Sequence, residues 1–177
     1  MPKAIEDLHN TLLREARPIL LEHGYEQLTI RNVARICDVA VGTVYRYFDS
    51  KDALVSEIMH GDWDPALERM RSEVETVETP IEGLRIVTDC IRDFIQLYAS
   101  AWMEYRMLYR FSDALSRQHN NFIRDIASVI HPMMLRFFPD YNFTVSDFIA
   151  QTILAVSAEP EGMFDKLIPV FDKLCKE

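Results

Sequence analysis

The stretch Leu28-Thr29-Ile30-Arg31-Asn32-Val33-Ala34-Arg35-Ile36-Cys37-Asp38-Val39-Ala40-Val41-Gly42-Thr43-Val44-Tyr45-Arg46-Tyr47-Phe48 holds two short helical periods separated by a break. Ile30, Val33, Ala34 and Cys37 form the inner face of the first, and Thr29 stands where a helix needs an N-cap. Asp38-Val39 interrupts the period before a second short helix over about 40–47. Ala34 lets two backbones approach, while Val39, Val44 and Phe48 can anchor the inner side of that second helix. A supporting helix, a tight turn and a helix held across it is the arrangement that places a helix in a DNA major groove.

The outward face of the second helix is then Val41, Gly42, Thr43, Tyr45, Arg46 and Tyr47. It combines an approach point without a side chain, hydroxyls, a guanidinium able to take two acceptors of a guanine, and rings able to lie against thymine methyls or phosphates. Thr29, Arg31 and Lys51 flank it at helix N-termini, where backbone donors and positive side chains favour phosphate. A packed helical hairpin whose tyrosines are core fits the same spacing.

Working outward, Ile5, Leu8, Leu12, Ala16, Ile19 and Leu20 mark one face of a first helix with a stop at His23-Gly24. Pro18 predicts a kink or break over 15–18. Ser50 can cap a fourth helix beginning at Lys51, which Asp64-Pro65 can interrupt or restart. Thr79-Pro80 opens a long amphipathic helix through Leu84, Val87, Ile91, Phe94, Tyr98 and Trp102. Further helical patterns occupy 102–117, 122–137, 148–156 and 163–174, with Pro169 expected to bend the last or end it near Leu167. The chain therefore reads as all-α.

Composition agrees. The 177 residues include 49% hydrophobic residues and only 5 glycines against 10 Phe, 7 Tyr and 8 Met, which favours helices over a many-turned sheet protein. Net charge is −9, which argues against coating nucleic acid by bulk electrostatics. Yet residues 29–51 carry Arg31, Arg35, Arg46 and Lys51 against Asp38 and Asp49, a small basic island in an acidic chain. Cys37, Cys90 and Cys175 are far apart in apolar stretches, so neither a disulfide framework nor a metal site follows from them. With no apolar signal core and no run long enough to span a bilayer, the expectation is a soluble cytoplasmic protein without a membrane partner.

The runs Leu28 to Ala34, Val39 to Phe48 and Ser50-Lys51-Asp52-Ala53-Leu54, with Gly24-Tyr25 ahead of them, resemble the DNA-binding head of the tetracycline-repressor-like (TetR) family of bacterial transcriptional regulators. The resemblance spans residues 8–55. It implies an N-terminal three-helix head over 1–50 with a helix-turn-helix, and a helical-bundle body over 51–177 for ligand binding and dimerisation. It further implies a homodimer of nine or so helices per chain that reads a palindromic double-stranded operator and is released by a small-molecule effector. Carried over by residue, Thr29, Arg31, Tyr47 and Lys51 would hold phosphates, while Val41, Gly42, Thr43, Tyr45 and Arg46 would face bases. Repression is implied because the family mostly represses; a DNA-bound architectural or recruiting factor with no effector is the alternative. Two positions depart from the pattern. A polar cap often stands where Ala40 is, and a longer polar or basic side chain where Val41 is, which shifts base reading towards Thr43, Tyr45 and Arg46.

In the body, Phe94, Tyr98, Trp102, Tyr105 and Tyr109 recur at helical spacing. They could line a pocket for an apolar or aromatic effector, with Met103 and Met107 nearby, or simply fill a core. Arg106 and Arg110 could meet an anionic ligand or stay solvated. Phe148, Thr152, Ile153, Val156, Phe164, Leu167, Ile168, Phe171 and Leu174 give the last two helices more apolar face than a small monomer needs, which suits either dimerisation or the body's own core. No catalytic site, cofactor or metal is expected: His9, His23, His60, His119 and His131 form no HExxH pair, and there is no GxSxG elbow or phosphate-cradling glycine loop. A redox sensor at Cys37 or Cys90 is the remaining rival, against the commoner case of buried structural thiols.

Overall fold

The computed structural model describes residues 3–101, 113–160 and 162–174. Among them stand eight helices of five residues or more and no strand: α1 (Lys3–Gln27), α2 (Ile30–Ile36), α3 (Val41–Tyr45), α4 (Lys51–Val74), α5 (Pro80–Leu97), α6 (Asp113–Leu135), α7 (Phe143–Ser157) and α8 (Met163–Leu174). The protein is all-α. It divides into two compact units, residues 1–62 with 97–118, and residues 63–96 with 119–177, so that α4 contributes to both. The head expected over 1–50 falls inside the first.

The first unit is organised around Leu12, Leu20, Val33, Val44, Phe48 and Leu54, all at most 1% exposed. The apolar stripe of α1 buries Leu12, Ala16, Ile19 and Leu20, as its spacing requires. Backbone direction is set at two places. Gly24 adopts φ 82°, a left-handed conformation that glycine reaches without a Cβ penalty, and it breaks α1 where a stop was expected. Thr29 then caps α2, its hydroxyl accepting from the Asn32 N–H at 3.1 Å.

The turn after α2 is a Schellman closure. The Asp38 N–H donates to the Arg35 carbonyl at 3.3 Å and the Val39 N–H reaches back to Ala34 at 3.0 Å. This geometry puts Asp38 at φ 52°, a left-handed position that costs a non-glycine residue roughly 1–2 kcal/mol. Asp38→Gly is therefore expected to stabilise the protein by up to about 1 kcal/mol once glycine's larger unfolded-state entropy is deducted, read as a higher denaturant midpoint at unchanged slope.

The second unit packs Trp63, Phe94 and Phe122 into an aromatic cluster with ring centroids 4.8 to 5.5 Å apart. The Trp63 indole N–H finds an acceptor in Asp125 at 3.0 Å, which lets the ring be buried without an orphaned donor. Gly83 permits close packing of α5 on α6, since a Cβ there would stand 2.1 Å from the Met133 sulfur. Asn142 caps α7, and the Ser157 hydroxyl at its far end donates to the Thr88 carbonyl of α5 at 3.3 Å.

Several helix boundaries differ from the periodicity. The expected break over 15–18 is absent: α1 runs through Pro18, and its non-helical residue is Gly24. The expected end near Leu167 is also absent, because α8 runs through Pro169 to Leu174, and α4 likewise continues through Pro65. Pro18, Pro65, Pro132 and Pro169 all lie inside helices on exposed positions, where water can satisfy the carbonyl left without an N–H partner. The third helix is shorter than 40–47, α5 stops at Leu97 before Tyr98, and α7 begins at Phe143 instead of 148 because Asn142 supplies the cap.

Candidate functional site

The second helix of the helix-turn-helix, α3, presents the face that the sequence assigns to DNA. Val44 is fully buried and Phe48 is 1% exposed, so these two side chains hold the segment against the unit's core. Opposite them Val41, Gly42, Tyr45 and Arg46 are exposed, with Thr43 and Tyr47 half-buried. Tyr45 is 51% exposed, an uncommon placement for a large ring with no structural load. A Cβ built on Gly42 would meet no atom within 4 Å, so this point is open to a partner's close approach. Arg46 and Arg31 are exposed and form no ion pair among the described residues, leaving both guanidiniums available to phosphate or base edges.

Ala40 caps α3 with no side-chain hydrogen bond, the structural counterpart of the departure noted at that position. The five-residue helix is held instead by tertiary packing and by backbone bonds from Thr43 to Ala40, Tyr47 to Val44 and Phe48 to Val44. His9 adds to the support: its ring lies 5.1 Å from that of Phe48 and 5.9 Å from that of Tyr47, and its Nε2 is 2.8 Å from Glu57. Sequence spacing gave no sign of this role for His9.

Lys51 is positioned by residues just before the helix-turn-helix. Its Nζ lies 3.7 Å from the centroid of the Tyr25 ring, while the Tyr25 hydroxyl donates to Asp52. Gly24 supplies the change of direction that sends Tyr25 under α4, which gives the Gly-Tyr pair of the sequence a physical meaning. Ser50 Oγ accepts from the Ala53 N–H at 3.1 Å and caps the same helix.

A second polar cluster of the first unit lies on Asp62. Arg17 donates through Nε to its two carboxylate oxygens at 2.9 and 2.8 Å, and the Tyr98 hydroxyl donates to Oδ2 at 2.7 Å. Tyr98 is 1% exposed, and burial together with the Asp62 bond pushes its phenol well above the usual range. With the folded value above the unfolded one near 10, the stability this group contributes is complete below pH 10 and is lost as pH rises beyond it. Asp62→Asn, which weakens both bonds, is expected to cost about 1–2 kcal/mol, measured by urea unfolding at pH 7. Tyr98→Phe is expected to flatten the fall of stability above pH 10.

Of the five aromatic residues proposed for an effector, Phe94 belongs to the second unit's aromatic cluster and Tyr98 to the Asp62 node of the first. Trp102, Tyr105 and Tyr109 lie outside the described residues, as do Met103, Met107, Arg106, Arg110 and Cys175. The second unit contains a cleft of about 260 Å³ between α4 and α6, floored by Val74, Val129, Pro132 and Met133 and edged by Arg71 and Arg136. Arg136 is fixed there by donating to the carbonyls of Val74 and Val77 at 2.8 and 3.0 Å. Cys37 is half-buried and Cys90 buried; desolvation raises both thiols, Cys90 to about 11, which suppresses the reactive thiolate. Among the described residues no three His, Cys, Asp or Glu side chains gather as a metal site, and no helix is long and apolar enough to cross a membrane.

Comparison with known proteins bears on this geometry. The family described as "Bacterial regulatory proteins, tetR family" matches residues 12–58, the segment that contains α2, α3 and the start of α4. The HTH-type transcriptional regulator UidR of Escherichia coli K12 is 24% identical over 140 residues, covering 79% of this chain and 61% of the relative. The chain thus spans about three fifths of the length of that relative. The repressor KstR2 of Mycobacterium tuberculosis is 31% identical over 74 residues, 42% of this chain and 37% of the relative. In fold, the chain is similar to FadR of Bacillus subtilis in complex with stearoyl-CoA (TM-score 0.63, 17% identity, 94% of this chain and 95% of that one). It is also similar to Salmonella enterica GusR (TM-score 0.61, 17% identity, 95% and 91%). The exposed α3 face and the lysine held by the Gly-Tyr pair both lie within residues 12–58, the segment similar to the tetR family of bacterial regulatory proteins.

Proposed function

We propose that this protein is a sequence-specific DNA-binding transcriptional repressor that acts as a homodimer on a palindromic operator and is released by a small-molecule effector. The observation that carries the proposal is the α3 face: exposed Val41, Gly42, Tyr45 and Arg46 on a segment fixed from behind by Val44 and Phe48. A ring and a guanidinium held out in water on a rigid support have no intramolecular task, whereas a major groove gives both a partner. Thr43, Tyr45 and Arg46 read bases beside Gly42 and Val41. Thr29, Arg31, Tyr47 and Lys51 take phosphates.

The dimer reading rests on α7 and α8. Ile153, Phe164 and Phe171 are already buried within the chain, but Phe148 and Val170 remain 55% and 47% exposed. A second copy would cover these. The effector reading is supported by the FadR relative in fold, which holds stearoyl-CoA. An effector releases DNA only by the difference in its affinity for the two conformations.

Selection of bound fragments from random duplexes with the purified full chain tests the reading. An enriched inverted repeat with half-sites one helical turn apart, or a multiple of it, is the expected result. No enrichment over input at low salt would refute sequence-specific binding.

A further inference from the structure

Arg92 on α5 carries two guanidinium nitrogens that are buried without a hydrogen-bond partner among the described residues. Its side chain is only 19% exposed. Nη1 donates to the Asp89 carboxylate at 3.2 Å, while Nε and Nη2 are buried without a hydrogen-bond partner. Those two nitrogens are not a random pair. In a guanidinium, Nε–H and the Nη2–H beside it share one edge, with the spacing of the two oxygens of a carboxylate or phosphate. Asp89, which is 55% exposed, thus holds the outer end of the group while the edge that could take a bidentate oxyanion is turned away from water.

The surroundings favour a ligand over a structural role. Arg92 stands one turn beyond Thr88, whose hydroxyl is already committed to the Leu84 carbonyl and whose carbonyl accepts from Ser157 of α7. Thr88, Ile91 and Ile95 beside it are buried. A charged donor edge kept off water with no acceptor is costly, and apolar replacement of such a group is often neutral or stabilising.

We propose that Arg92 is the anion receptor of the second unit, taking a carboxylate or phosphate monoester of the effector side-on through Nε and Nη2. This inference rests on the effector reading above and narrows it to ligands carrying an oxyanion on an apolar body. Because both nitrogens are covered, the anion enters only as the packing over them opens, so binding and conformational change are one event.

The test uses the 15N-labelled full chain and three probes: hexanoate, hexyl phosphate and neutral hexanol. At least one oxyanion is expected to shift the Arg92 Nε–H resonance downfield in a saturable way and to raise the melting temperature, with hexanol doing neither. The two oxyanion arms separate carboxylate from phosphate. Arg92→Lys, which keeps the charge but loses the edge, is expected to weaken that binding at least tenfold. Arg92→Met is expected to melt no lower than the unchanged protein. A resonance unmoved by both oxyanions, equal binding to Arg92→Lys, or an Arg92→Met variant melting several degrees lower would each overturn the proposal. Operator binding without probe is measured in parallel. Its absence in every form, the unchanged protein included, would count against the DNA-binding reading and not against this site.

Discussion

Phe48→Ala is expected to cost about 3–5 kcal/mol of folding free energy, the range for deleting a buried phenyl ring from a core that cannot collapse around the gap. The ring is 1% exposed and stacks on His9. Typical domains have only about 5–15 kcal/mol in total, so the loss is large and is read directly as a lower guanidinium midpoint. The functional effect exceeds the thermodynamic one. With five residues and no side-chain cap, α3 has Val44 and Phe48 as its main attachments. Without Phe48 the recognition segment is no longer held at one orientation, and operator binding is expected to disappear even where the rest of the chain stays folded. Phe48→Leu, which keeps most of the volume, is the control and is expected to retain binding. A Phe48→Ala variant that unfolds at the unchanged midpoint would refute the anchoring role.

Arg46→Ala is expected to weaken operator binding by about 1–3 kcal/mol, roughly 5- to 150-fold, and to relax preference at one position of each half-site. Folding is expected to be unaffected, since Arg46 is exposed and forms no ion pair among the described residues. Lys51→Ala gives the contrasting pattern: all duplexes bound more weakly by a similar factor, with a shallower salt dependence, because a phosphate contact carries no base information. Titrations of both variants against the selected operator and a one-base mismatch distinguish the two roles. Equal affinity of Arg46→Ala and the unchanged protein for the operator would show that this face does not read DNA. At net charge −9 the chain is repelled by DNA at long range, so lowering salt is expected to strengthen binding only through the few contacts of this face.

Much of the head is legible from residue order because its signals are local. Thr29 caps where a threonine before an apolar period should, Ala34 and Val44 are buried where their spacing puts them, and Gly24 turns the chain as glycine after a helix does. The supports behind the face are not local. His9 reaches Phe48 and Glu57 across some forty to fifty positions, and Asp62 gathers Arg17 and Tyr98 from both directions, which no periodicity encodes. The body is less legible for the same reason. An aromatic at helical spacing is the same mark whether it fills a core, as Phe94 does, or lines a cavity, and only tertiary structure separates the two. Local chemistry predicts a kink or break over 15–18 and a bend or end near Leu167; neither helix ends there, because favourable packing of the buried faces of α1 and α8 outweighs one absent N–H bond.

Those in-helix prolines have a mechanical consequence. A missing rung on the outer side of a helix lets that side lengthen, so the rod bows with its concave side towards the interior it covers. Replacing such a proline by alanine is expected to restore the missing bond and to straighten that helix alone.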